Sequence, residues 1–181
     1  MQYRIVRSNR KTLGLQVGAD GVTVRAPRHT SEEVIRQFVA SHADWIEKSS
    51  KKFLPADQVI PLSTEDLRSL ADRALKIIPP RVKYYASVLG VTYGRITVRN
   101  QRTKWGSCSS EGNLNFNCLL MLAPTDVLDY IIVHELCHRK EMNHSKRFYA
   151  EVARVLPNYQ SANRWLREKG PSLMQRMLRG L

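Results

Sequence analysis

At 181 residues, 43% of them hydrophobic and 25% charged, the chain is long enough for one domain with a sizeable core, or for a main domain with a small N-terminal extension. That balance excludes disorder as the default state, and the longest purely apolar run, Leu119 to Pro124, is far too short to cross a bilayer. The net charge of +13 and pI near 10.1 suggest an anionic partner, whether nucleic acid, nucleotide or acidic protein; the competing explanation is a solvated basic face.

The charge is unevenly spread: Arg73 to Ser110 holds eight basic residues and no Asp or Glu. Met1 to Ile5 lacks the apolar core of a signal peptide, so a cytoplasmic protein is expected. Cys108, Cys118 and Cys137 are odd in number and form no CxxC pair, which argues against a disulfide framework or a cysteine zinc knuckle. They are expected to be buried small hydrophobes.

In chain order, Tyr3 to Arg7, Thr12 to Val17 and Val22 to Ala26 read as short strands, the last two joined across Ala19-Asp20-Gly21 as a hairpin. Ser31 followed by Glu32 and Glu33 reads as an N-cap, and an apolar stripe from Val34 to Ile46 predicts one helix ending near Phe53. Pro55 and Pro61 bracket a linker, which divides the chain into an N-terminal strand-hairpin-helix subdomain over 1–55 and a larger domain over 63–181. A long helix from Thr64 to Leu89 is expected to break or kink at Pro79-Pro80, with Gly90 as its C-cap. Ile96 to Arg99 alternates as a strand. Lys104 to Cys108 and Leu114 to Cys118 form a second hairpin around Ser110-Glu111-Gly112-Asn113. Pro124 opens a helix that runs through 134–138, Ser145 caps another to about Val155, and Asn158 to Lys169 forms a last one beyond Pro157.

Residues 134–138 read His-Glu-Leu-Cys-His, an H-E-x-x-H match inside a predicted helix. Four residues exceed one helical turn slightly, so His134 and His138 share a face and can share one tetrahedral zinc ion. Glu135 lies beside that face, placed to deprotonate a zinc-bound water whose pKa the metal lowers to about 7. A catalytic zinc needs a third protein ligand and an open position. His144 is the leading candidate, with Asn143 tolerant of the left-handed turn that would bring the chain back; Glu141, Glu151 and Glu168 are the alternatives. Metzincins use the same spacing but carry Gly where this chain has Glu141, which argues against a true metzincin turn. His29 and His42 are isolated and read as ordinary surface residues.

Arg-Thr-Lys-Trp-Gly-Ser-Cys-Ser at 102–109, Ala-Pro at 123–124, Asp-Tyr-Ile-Ile-Val-His-Glu-Leu-Cys-His at 129–138 and Asn-His-Ser at 143–145 resemble the YgjP-like metallopeptidases, relatives of the SprT and Wss1-type zincins. Arg7-Ser-Asn-Arg-Lys-Thr-Leu and Asp20-Gly-Val-Thr-Val-Arg-Ala-Pro extend the resemblance over nearly the whole chain. It implies an α+β, minimal zincin-like catalytic domain: a small mixed or antiparallel sheet with an active-site helix and supporting helices, beside the small N-terminal subdomain. It also implies one zinc per chain on His134, His138 and His144, with Glu135 as catalytic base.

The leading expectation is a zinc metallopeptidase, its peptide extended along the hairpin edge around residues 102–118. Arg102, Lys104, Trp105, Asn117 and Tyr149 are candidate substrate contacts, and Tyr149, Tyr159, Arg102 and Lys104 are candidate oxyanion donors. Phe148-Tyr149 in an amphipathic helix also reads as core. The alternatives are a zinc-dependent phosphoanhydride hydrolase, for which Arg99, Arg102 and Lys104 would clamp phosphate, and a basic nucleic-acid-associated protein with a structural zinc.

Overall fold

The structure is a computed structural model that describes residues 2–101 and 103–178. It divides into two compact units, Met1–Ile60 and Pro61–Leu181.

In the first unit, strands β1 (Tyr3–Ser8), β2 (Gly14–Gly18) and β3 (Gly21–Pro27) form a sheet with β3 central, parallel to β1 and antiparallel to β2. The β2–β3 hairpin closes at the Gly18–Gly21 pair, where Gly21 takes φ +96°, a conformation that needs glycine. Val24 and Ala26 of β3 bury against Ile35, Val39 and Ile46. Ser31 caps α1 (Glu32–Ser41), accepting from the Val34 amide. The single helix expected here divides at His42, followed by α2 (Ala43–Ser50). The physical reason is competition for the Phe38 carbonyl. Ser41 Oγ donates to it at 2.9 Å and His42 Nδ1 lies 2.8 Å away, so the His42 amide bonds Val39 instead.

In the second unit, a capping box between Ser63 and Asp66 starts α3 (Thr64–Leu89), and Gly90, at φ +67°, ends it. The expected division at Pro79-Pro80 does not occur; both prolines lie within one helix. The carbonyls that lose partners belong to Leu75 and Lys76, both exposed, so water can satisfy them. The opposite stripe, Leu70, Ala74, Ile78, Val82 and Ala86, is buried in the core with the next long helix.

Strands β4 (Ile96–Arg99), β5 (Gly106–Cys108) and β6 (Leu114–Asn117) form a mixed sheet with β6 central, parallel to β4 and antiparallel to β5. Leu114 and Phe116 point into the core, but the expected strand stops short of Cys118, which opens a 3₁₀ turn to Leu122. Asn117 causes the stop by accepting from the Leu119 amide.

Helix α4 (Thr125–Cys137) is the core helix, followed by α5 (Lys146–Val155), α6 (Tyr159–Glu168) and α7 (Gly170–Leu178). The sequence reading did not anticipate α7, whose Gly-Pro start looks like punctuation although Pro suits a first helical turn. The whole is α+β. Cys118 and Cys137 are buried as expected, whereas Cys108 is only half-buried. Among the described residues, no helix is long and apolar enough to cross a membrane.

Candidate metal centre

His134 and His138 follow one another along one face of α4, with ring centroids 5.2 Å apart. His144 joins them from the segment before α5, its ring 4.8 Å from each. The left-handed turn expected at Asn143 is absent, since no described residue other than glycine has positive φ. Instead the helix tightens through amide bonds from Arg139 to Leu136 and from Lys140 to Cys137, and the Ser145 amide then bonds the Asn143 carbonyl at 2.7 Å. That three-residue turn brings His144 back without an unusual backbone. Ser145 then caps α5 by accepting from the Phe148 amide.

Phe148, fully buried, packs beneath all three imidazoles, with centroids 4.8, 4.7 and 4.8 Å from His134, His138 and His144. Burial and the two neighbouring imidazoles push the His134 pKa down to about 3, and burial lowers that of His138. Both are therefore neutral and hold lone pairs at physiological pH. His138 Nδ1 lies 3.2 Å from the Glu141 carbonyl, which fixes the donor tautomer there and leaves Nε2 as the free acceptor.

This donor set suits a metal ion. One ligand atom from each histidine lies within 4.8 Å of the other two, the one such group among the described residues. Tetrahedral zinc at about 2.0–2.1 Å would hold its nitrogens about 3.3 Å apart, and Nε2 of His134 stands 2.9 Å from Nε2 of His144. Neutral imidazoles facing each other nitrogen to nitrogen need only open slightly around a cation. Of the alternative third ligands, Glu151 is held by Lys140 at 2.8 Å and Arg154 at 3.0 Å. Glu141 and Glu168 are not part of the histidine group.

Glu135 is 5% exposed, and burial raises its pKa to about 7 against the lowering influence of Lys104. Gly106 of β5 lies against it: a Cβ there would stand 2.7 Å from Oε1 and 2.8 Å from Cγ. Sequence reasoning missed this role, although an isolated glycine in a strand signals close approach. The three histidines, Glu135 and Gly106 open onto a cleft of about 330 Å³ that Lys104, Ser107, Cys108 and Met142 also line. Strand β5 is an edge of its sheet, so its outer main chain is unpaired within that sheet beside this cleft.

The other sequence candidates separate. Lys104 lines the cleft. Asn117 is fully buried, its Nδ2 donating to the carbonyls of Gln101 at 2.6 Å and Lys104 at 2.9 Å, so it anchors the segment leading into β5. Trp105 packs on the core beside Gly170. Tyr149, half-buried, lies 6.3 Å from His144 and stacks on Tyr159, which stacks on Tyr130. Tyr130 stays protonated, its pKa pushed up to about 12 by burial and the other two tyrosines. Arg102 lies outside the described residues.

Three histidines within reach of one ion, beside a buried carboxylate in an open cleft, are the arrangement of a metal-dependent hydrolase. The YgjP-like metallopeptidase domain matches residues 11–71 and 62–169. The chain belongs to this family, which implies a divalent metal ion and peptide-bond hydrolysis. No curated protein matches it. Among solved structures, it is similar to the metallopeptidase zymogen abylysin of Pyrococcus abyssi, with 19% identity and TM-score 0.47 over 53% of this chain and 98% of that one. It is also similar to the metallopeptidase zymogen jannalysin of Methanocaldococcus jannaschii, with 23% identity and TM-score 0.44 over 49% of this chain and 92% of that one.

Proposed function

We propose that the protein is a zinc metallopeptidase holding one zinc ion on His134, His138 and His144, with Glu135 as general base. The observation that carries this reading is the convergence of the three imidazoles beside a buried carboxylate whose pKa is raised to about 7. When bound, zinc supplies a Lewis acid for the scissile carbonyl and brings the pKa of a water molecule in its open position to about 7. Glu135 takes the proton from the attacking water, holds it on its buried carboxyl, and passes it to the departing amine. The free edge of β5 pairs with the main chain of an extended peptide and sets its carbonyl over the histidines. Lys104 offers positive charge to the developing oxyanion, and Tyr149 is a second candidate donor.

The test compares zinc-loaded wild type with Glu135→Gln on an unfolded protein substrate. A fall of about 10²-fold or more in rate, with zinc content unchanged, is expected; equal rates would sink the mechanism. Running nucleoside triphosphates in parallel tests the phosphoanhydride alternative, for which Lys104 is the described cleft residue in favour. Salt-dependent binding to DNA would support a nucleic-acid partner.

A further inference from the structure

The row of α4 that carries His134 and His138 continues backward through Tyr130 to Asp126, four residues at each step. These side chains leave one face at intervals of about 6 Å. Beside Tyr130 and Asp126 opens a second cleft, of about 400 Å³, which Leu156, Tyr159 and Asp129 also line. A single ring contact separates it from the histidines: the Tyr130 centroid is 5.7 Å from that of His134. An extended peptide advances about 3.3–3.6 Å per residue, so the step of about 6 Å from His134 back to Tyr130 along α4 corresponds to about two peptide residues.

The recess has a specific chemistry. Tyr130, which is buried, and Tyr159 are near-parallel, at 18° with centroids 5.9 Å apart, and with Leu156 they give the recess an apolar wall. Its acids are Asp126, which is exposed, and Asp129, whose Oδ1 accepts from Arg81 at 2.5 Å. No Lys or Arg is among its lining residues, on a chain of net charge +13. An acid in the first turn of α4 suits the helix dipole. That accounts for Asp126's charge but not for the tyrosine-walled cleft beside it.

We infer that this recess is the specificity pocket for a basic residue, Lys or Arg, flanking the scissile bond. The aliphatic stem lies along Leu156 and the edge of Tyr159, and the cationic end meets Asp126, because Asp129 is committed to Arg81. The inference rests on the peptidase reading of the histidine cleft and gives that reading a substrate class.

The test is a binding measurement on zinc-loaded Glu135→Gln protein. Fluorescent peptides of one sequence, carrying Lys, Ala, Phe or Glu at each position in turn, are titrated by anisotropy. At one position Lys should bind about tenfold tighter than Ala, and adding Asp126→Ala should shrink that ratio to about twofold or less. Asp126→Lys, with its fold checked by circular dichroism, should reverse the ratio in favour of Glu. Equal binding of Lys and Ala, tighter binding of Phe, or a Lys preference that survives Asp126→Ala would each overturn the pocket. The same peptides offered to wild type separate the two readings. Cleavage without the preference overturns the pocket alone, and the preference without cleavage overturns the peptidase reading alone.

Discussion

The carboxylate of Glu135 occupies the space that any side chain at position 106 would require, 2.7 Å from an ideal Cβ to Oε1. Gly106→Ala must therefore move Glu135 or the strand, and α4 is too deeply buried to yield. The expected result is a fall of about tenfold to hundredfold in kcat/KM on a peptide substrate, because a base displaced by an ångström loses its alignment. Zinc content, measured by atomic absorption, should stay near that of wild type, since the atoms nearest a Cβ at position 106 all belong to Glu135. Loss of metal in this variant would contradict the separation of roles.

His144 is the histidine on which one-ion geometry depends, because it alone comes from beyond α4 and its C-cap residue His138. His144→Ala should weaken zinc binding by more than about a hundredfold, since even the partners of metal ligands are worth 10–100-fold. Wild type should gain thermal stability when zinc is added and lose it to a chelator. The variant should show little of either shift, and an equal zinc-dependent rise in Tm would remove His144 from the ligand set.

What could be read from the chain follows from the range of the interactions involved. A four-residue spacing has one meaning on a helix, so the sequence alone places His134 and His138 on one face, where their rings lie 5.2 Å apart. Spacing also points to His144, but amide bonds reaching back three residues after Cys137, not a left-handed Asn143, turn the chain there. The Phe148 floor and the Gly106 gap come from elements that meet only in three dimensions, so no local pattern marks them. The same limit explains Pro79-Pro80. Proline disfavours a helix interior, but burial of the α3 stripe against the core outweighs two lost hydrogen bonds on an exposed face.

Asn117, a candidate substrate contact by sequence, ties down the segment that bears Lys104. Its amide nitrogen donates to two carbonyls and its oxygen accepts from Leu119, all at a fully buried position. Asn117→Ala leaves these groups without partners and should cost about 1–3 kcal/mol in urea unfolding. Asn117→Asp should not rescue it, because a carboxylate cannot donate to the carbonyls of Gln101 and Lys104. Wild-type stability in the Ala variant would show that Asn117 does not hold this segment.

Glu151 gives the fold an acid-side sensitivity outside the metal cleft. Hydrogen bonds from Lys140 and Arg154 hold its pKa below the ordinary 4.5. A carboxylate whose folded pKa is depressed contributes stability that is fully present above its unfolded pKa and is lost as pH falls through the folded one. The contribution should therefore be intact at neutral pH and decline below about pH 4.5. Glu151→Gln should lower Tm relative to wild type at pH 7, and the two Tm values should converge as pH is taken toward 3. The link joins the turn after α4 to α5, so its loss should also loosen the segment that carries His144. Hydrogen exchange at residues 139–145 should quicken in the variant at pH 7, and a Tm gap that stays constant with pH would rule out the ion pair as its cause.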